Sequence, residues 1–232
     1  MMEPDQQAET ARKLKRKMLW IFPLAVVVTG LMLFLPAGSL RYWQAWMFLA
    51  TLFPPVFFVV SYFLTRDPGL LARRLQLREK ERQQQVIVKL ANLAFFLGFL
   101  LPGLDHRYGW SGVPAWACVL ADALVFLGYV IVFFVFRENS YTSRIVEVVE
   151  GQKAVTTGPY SLVRHPMYAG VVLMYLATPI ALGSFWALGF FVPVIVLIVV
   201  RALDEERVLV RDLEGYKEYT QMVRYRLVPR VW

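Results

Sequence analysis

The sequence predicts an all-α fold: a polytopic integral-membrane helical bundle of about six membrane helices. Three observations predict it. Of the 232 residues, 58% are apolar, above the roughly 45–50% usual in soluble domains. Those residues lie in long blocks instead of amphipathic stripes, which suits a bilayer better than a water-soluble core. Of the 25 lysines and arginines, 22 flank the blocks in four segments, Arg41 and Arg107 lie in the other connections, and Lys89 lies within a block.

The first block, 18–35, follows a polar, basic stretch and has no small-residue cleavage site, so it reads as a span and not as a signal peptide. Three further blocks, 43–64, 86–101 and 113–136, approach the roughly 20 residues that a spanning helix needs. Two shorter runs, 167–182 and 185–200, meet at Gly183-Ser184, which predicts a tight helical hairpin, spanning or only partly inserted. Between the second and third blocks, 65–85 opens with Arg66-Asp67-Pro68-Gly69 and is rich in Arg, Glu and Gln. Leu71 and Leu75 lie one turn apart there, as in an interfacial helix, and a solvated connector fits equally. After the last block, Leu209, Leu213, Tyr216 and Val223 fall near helical spacing, so the carboxyl tail reads as an amphipathic helix lying on the domain. Trp20, Trp43, Trp110, Trp116 and Trp186 sit near block ends, as an aromatic belt requires. With no repeat, low-complexity tract or flexible linker, residues 1–232 form one domain, with four membrane helices and the connector in 1–136.

The basic segments set the orientation. They place the amino terminus, 65–85, 137–166 and the carboxyl tail together on the cytoplasmic side, which in a bacterium means the inner membrane. The net charge of +8 does not indicate nucleic acid, because the cations are distributed along block ends and form no single patch. Cys118 is the only cysteine and lies inside an apolar block, where it reads as a small packing residue. Two histidines without a companion cluster exclude a metal-site proposal. No G-x-G-x-x-G and no P-loop are present, so a Rossmann-type cofactor domain is not expected. Asp122 is the one acid within a block, where an acid is functional by default; lying nearer the expected outer end, it is also placed simply to face water. His106, on an outer loop, reads as incidental.

Polar complexity gathers in two stretches, both on the expected cytoplasmic face. In the first, Gly158-Pro159 marks a turn before Tyr160, and Pro166 suits the first turn of the next helix, where its missing N–H costs nothing. Arg164 and His165 then stand at that helix's amino end, a natural site for carboxylate or phosphate. They also read as an interfacial anchor and a helix cap. Tyr168 projects from the first turn, and Gly170 lets a ligand or another helix come close. In the second stretch, Arg201 and Glu205 are four apart and share a helix face, beside Asp204 and Glu206. Three consecutive acids at a membrane surface would be relieved by a cationic ligand; a solvated helix with internal ion pairs is the plainer reading. Tyr216 and Tyr219 in the tail either flank an aromatic or sulfonium ligand or simply pack.

Together, Gly158-Pro159-Tyr160, Arg164-His165-Pro166-Met167-Tyr168-Ala169-Gly170, Arg201 with Glu205-Glu206, Gly215-Tyr216-Lys217-Glu218-Tyr219 and Arg224-Tyr225-Arg226-Leu227-Val228-Pro229 resemble the isoprenylcysteine carboxyl methyltransferase family, and more broadly the membrane methyltransferases that include phospholipid methyltransferases. The resemblance runs from about Arg137 to Trp232; the first 136 residues match only as apolar spans. It implies that 137–232 is a catalytic half enclosing S-adenosyl-L-methionine at the cytoplasmic face, with S-adenosyl-L-homocysteine as product. It implies a cofactor pocket lined by Tyr160, His165, Pro166, Tyr168, Gly170, Tyr216 and Tyr219, with Glu205 or Glu206 holding polar groups. Arg201, Glu205 and Arg164 are the implied catalytic residues, the arginines orienting an anionic acceptor or the cofactor carboxylate. The implied acceptor is lipid-like or prenylated and partitions into the membrane, and a carboxylate of isoprenylcysteine type is favoured. Three other readings stay open: an amino-phospholipid N-methyltransferase, an oxidoreductase similar to the membrane sterol reductases, and a non-enzymatic scaffold or transporter.

Overall fold

The computed structural model describes residues 4–74, 82–141 and 154–232, and among them the chain is helical with no strand. Among the described residues eight α-helices follow in order: α1 Pro4–Ala37, α2 Trp43–Arg66, α3 Pro68–Arg74, α4 Arg82–Tyr108, α5 Ala115–Glu138, α6 Pro166–Ala181, α7 Leu188–Asp212 and α8 Tyr216–Met222. A 3-10 turn, Gly158–Ser161, precedes α6. Among the described residues, the helices long and apolar enough to cross a bilayer are α1 from Glu9 onward, α2 and α5. The expected third block lies within α4, and the two short runs are α6, with 16 residues, and the apolar part of α7.

Helix ends follow local chemistry. Asp67 Oδ1 accepts the Leu70 N–H at 2.9 Å and so caps α3, in the 65–85 stretch for which a helix and a solvated connector fitted equally. Leu70 and Leu71 are buried with Leu14 and Phe63, so α3 is seated on the bundle; Leu75 lies outside the described residues. Pro166 occupies the first position of α6. The hairpin turns at Gly183, whose φ of +73° favours glycine. Asp105 at the end of α4 holds that turn. It accepts from the Ser111 N–H at 2.7 Å, from the Ser111 hydroxyl at 2.6 Å and from the Ser184 hydroxyl. The five tryptophans expected at block ends are all exposed.

The core contains Leu33, Tyr42, Phe48, Phe99, Val125 and Phe191, drawn from α1, α2, α4, α5 and α7. The α5 and α6 backbones touch: a Cβ added at Gly128 would lie 2.8 Å from the Gly170 carbonyl oxygen, and one at Gly170 would lie 3.0 Å from that of Gly128. Small residues permit this approach between membrane helices. Cys118 is a buried free thiol, as expected of a packing residue. His106 stacks on Tyr42 with centroids 4.3 Å apart. Asp122 departs from expectation. It does not face water; it is 4% exposed, with Thr51 of α2 and Cys118 as its polar neighbours. It lies in the amino-terminal third of α5, on the side packed into the bundle.

Candidate functional site

The start of α6 and the end of the apolar part of α7 meet, and the two polar stretches meet with them. Successive residues of an α-helix point about 100° apart. Glu205 and Glu206 therefore serve different partners.

Glu206 faces the segment before α6 and the tail. Its Oε1 lies 3.0 Å from Arg164 Nη2 and its Oε2 lies 3.2 Å from His165 Nε2. Arg226 adds a fork, donating from Nε at 3.1 Å and from Nη2 at 3.3 Å. Burial alone would push the Glu206 carboxyl up. The hydrogen bonds from His165 and Arg226, with the charges of Arg164 and Arg226, outweigh it and hold the group at about 2. The anion expected at this helix end is thus the chain's own Glu206. The backbone reinforces the contact: the Arg164 N–H donates to the Tyr225 carbonyl at 2.8 Å, and that of His165 to the Arg226 carbonyl at 2.9 Å. His165 occupies the N-cap position of α6 without a side-chain capping bond.

Glu205 faces Tyr168, whose hydroxyl donates to Oε2 at 2.6 Å, and Arg201 stands beside the same tyrosine. Glu205 and Arg201 are half-buried, so this pair is reachable where Glu206 is enclosed. Tyr160 belongs to the 3-10 turn; its hydroxyl takes a hydrogen bond from Asn139 Nδ2 at 3.1 Å, and its carbonyl takes one from the Tyr219 hydroxyl at 2.6 Å. Burial, with the negative charge of Glu205 adding and the Asn139 bond opposing, pushes the Tyr160 phenol up to about 12. Tyr216 and Tyr219 meet edge to face at 5.4 Å within a cluster that includes Leu209, Leu213 and Val223. Burial also raises both of these phenols, so all three tyrosines are neutral at physiological pH. The tail residues spaced for an amphipathic helix do pack together, although only Tyr216–Met222 is a separate helix.

The structure thus gathers Arg164, His165, Tyr168, Arg201, Glu205 and Glu206, with Tyr160, Tyr216 and Tyr219 around the first of these. Gly170 is apart, because the approach that it permits is made by α5. Pro166 is buried at the head of α6. Two members carry polar atoms with no partner among the described residues: Arg164 Nε and the Tyr216 hydroxyl, on side chains whose residues are 8% and 4% exposed. Buried donors of this kind are rare unless they meet a ligand or water. Sequence reasoning missed two contributors. Arg226 stood within the Arg224-to-Pro229 motif of the resemblance without a role of its own, and Asn139 was an unremarkable polar residue after α5. Neither has a spacing that would have singled it out.

The mouse (Mus musculus) delta(14)-sterol reductase is 29% identical to the chain over 90 residues, 38% of this chain. The chain spans about a fifth of the length of that curated relative, 22%. A family model described as phospholipid methyltransferase matches residues 116–214, which hold α5, the 3-10 turn, α6 and α7, and with them every member of the polar cluster except Tyr216, Tyr219 and Arg226.

Proposed function

We propose that this chain is an S-adenosyl-L-methionine-dependent integral-membrane methyltransferase, acting at the cytoplasmic face on a membrane-partitioned acceptor whose reacting group is a carboxylate. The observation that carries this reading is the split between the two glutamates. Glu206 is neutralised internally and fixes the frame, while Glu205 remains reachable beside Tyr168 and Arg201. The match to phospholipid methyltransferases over the same helices supports methyl transfer as the reaction class.

The residues suit such a cofactor. A carboxylate at Glu205, the unpartnered hydroxyl of Tyr216 and the unpartnered Nε of Arg164 offer one acceptor and two donors within an aromatic surround. Bound there, the cofactor would supply a methyl group on a sulfonium, a strong electrophile. Glu205 would hold cationic or hydroxyl groups, and Tyr160, Tyr168, Tyr216 and Tyr219 would exclude water and face the positive charge. Arg201 would orient an anionic acceptor. Transfer from a cation to an anion diminishes charge, so the dry surround favours it, and holding both groups near attack distance supplies much of the remainder. A carboxylate acceptor needs no general base, which suits a cluster whose one histidine is committed to Glu206. An amine would first have to lose a proton, and Glu205 would be the base for the alternative N-methyltransferase.

Calorimetric binding of S-adenosylmethionine and S-adenosylhomocysteine to purified protein tests the reading. Micromolar binding that Glu205→Ala removes while the helical content stays intact is the expected result. Absence of binding to folded, lipid-restored protein would end it. The sterol reductase similarity favours one second reading, a membrane oxidoreductase using a nicotinamide cofactor. Binding of NADPH in place of S-adenosylmethionine in the same cell would select it.

A further inference from the structure

Residues 223–232 leave α8 and return to the start of α6, where Tyr225 and Arg226 meet Arg164 and His165. Leu227 then packs on Tyr168, in the first turn of α6, and beside Ile198 and Val199, in the last turn of the apolar part of α7. Both helices pass into their apolar runs at that level, so this strap lies at the membrane boundary. Beyond Leu227 the strap closes on itself. The Trp232 carbonyl oxygen accepts the N–H groups of Arg226, Leu227 and Val228 at 2.9, 3.0 and 3.0 Å, and the Val228 carbonyl accepts those of Val231 and Trp232 at 3.1 Å. Arg230 stands in this turn with φ of +64°, a left-handed conformation uncommon outside glycine. The Arg226 guanidinium, whose fork engages Glu206, lies 5.5 Å from the Trp232 ring centroid.

The turn presents apolar side chains outward: Val228 and Trp232 are exposed, and Val231 is 78% exposed. Water gives such residues nothing, whereas the layer between head groups and acyl chains favours them. The charge of the strap has one sign, with Arg224, Arg226 and Arg230 and no acid in 223–232. Arg226 is committed to Glu206; Arg224 and Arg230 are exposed, with no acidic partner among the described residues. We infer that 223–232 is a docking surface for the anionic face of the bilayer, with Val228, Val231 and Trp232 entering the head-group boundary and Arg224 and Arg230 engaging phospholipid phosphates. The backbone bonds form the turn in advance, so docking requires little further ordering. Because the same strap carries Arg226, the frame around Glu206 is tied to the membrane surface. The strap lies outside residues 116–214, and its surface does not depend on which reaction the polar cluster performs.

The test is site-directed fluorescence quenching of the full chain in phosphatidylcholine vesicles containing phosphatidylglycerol. Cys118 is buried, so a bimane thiol label attaches selectively to Val231→Cys. Lipids carrying a doxyl group high on the acyl chain should quench that label. They should leave unquenched a label at Glu214→Cys, an exposed site just past α7 and roughly 20 Å beyond Val199 along that helix at 1.5 Å per residue. Doxyl-phosphatidylglycerol should quench Val231→Cys several-fold more effectively than doxyl-phosphatidylcholine, because each cation near an anionic surface raises association about fivefold. Arg224→Gln combined with Arg230→Gln should abolish that preference, and the corresponding double lysine variant should keep it. Equal quenching by the two lipids, or a preference that survives the double glutamine variant, overturns the anionic assignment. Quenching by aqueous iodide alone makes the strap a solvated turn, and protection from both iodide and lipid makes it the seat of a protein partner or a second copy; either result overturns the proposal. No cofactor enters the measurement, so methyl transfer can fail and this surface still stand.

Discussion

At the scale of the residue, Glu206 is the most consequential side chain described. It joins α7 to both the start of α6 and the tail through Arg164, His165 and Arg226. Glu206→Gln leaves Arg164 buried without its counter-charge, and breaking a buried pair from one side costs about 3 kcal/mol. A lowered melting temperature in detergent should report that loss. The pH dependence follows from the same carboxyl. Its folded value, about 2, lies below the ordinary 4.5, so its stabilisation is complete above that ordinary value and is lost as pH falls toward 2. Acid melts from pH 5 to pH 2 should therefore be steeper for the native chain than for Glu206→Gln. Glu205→Gln should differ from both: it keeps an acceptor for the Tyr168 hydroxyl, so stability should change by no more than about 1 kcal/mol while cofactor binding weakens, as paired melting and calorimetry would show. Adjacent acids with opposite roles were not legible in the sequence. The tripeptide Asp204-Glu205-Glu206 gives no hint that Glu206 is met by cations about 40 residues earlier and 20 later. Asp122 was misread for a related reason: position along a helix is legible, but which side packs inward is decided by helices elsewhere in the chain.

At the scale of the element, the starts of α2 and α6 and the turn of the hairpin were legible, because Trp43 at a block edge, Pro166 and Gly183 carry local rules. Helix extents were less so. Apolar blocks mark where a helix contacts lipid and not where it ends. α1 begins well before its block and holds a Glu9–Lys13 ion pair at 2.6 Å on an exposed face, and α7 runs on through Asp212. Good helix formers such as Glu, Lys and Arg extend both without any apolar signal. The α5–α6 contact gives the prediction at this scale. A side chain at Gly128 would put Cβ 2.3 Å from Met174 Cγ as well as against the Gly170 carbonyl. Gly128→Val should destabilise by about 1–3 kcal/mol and displace the polar start of α6, read as a lower melting temperature together with weaker cofactor binding.

For the whole molecule, the distribution of basic residues was the most legible property, and the proposed orientation rests on it. Cys118 is buried, so single introduced cysteines can test the orientation without interference. An impermeant thiol reagent should label Leu40→Cys from outside intact cells and Thr156→Cys only after permeabilisation; the reverse pattern would invert the proposed topology. Product chemistry tests the reaction at the same scale. A carboxyl methyl ester releases methanol in alkali, whereas an N-methyl amine is stable, so retention of the label after base treatment would select the amine alternative.

The pairing of Arg164 and His165 with Tyr225 and Arg226 bears on how the protein is made. The helices that hold the rest of the cluster are synthesised before the strap that closes it, and Arg226 is about sixty residues beyond Arg164. On a ribosome adding roughly 5–20 residues per second, Glu206 is in the chain for about one to four seconds before Arg226, one of its three partners, is added. A nascent chain arrested before Arg226 should therefore hold its membrane helices and bind no cofactor, making this site one of the last parts of the protein to become functional.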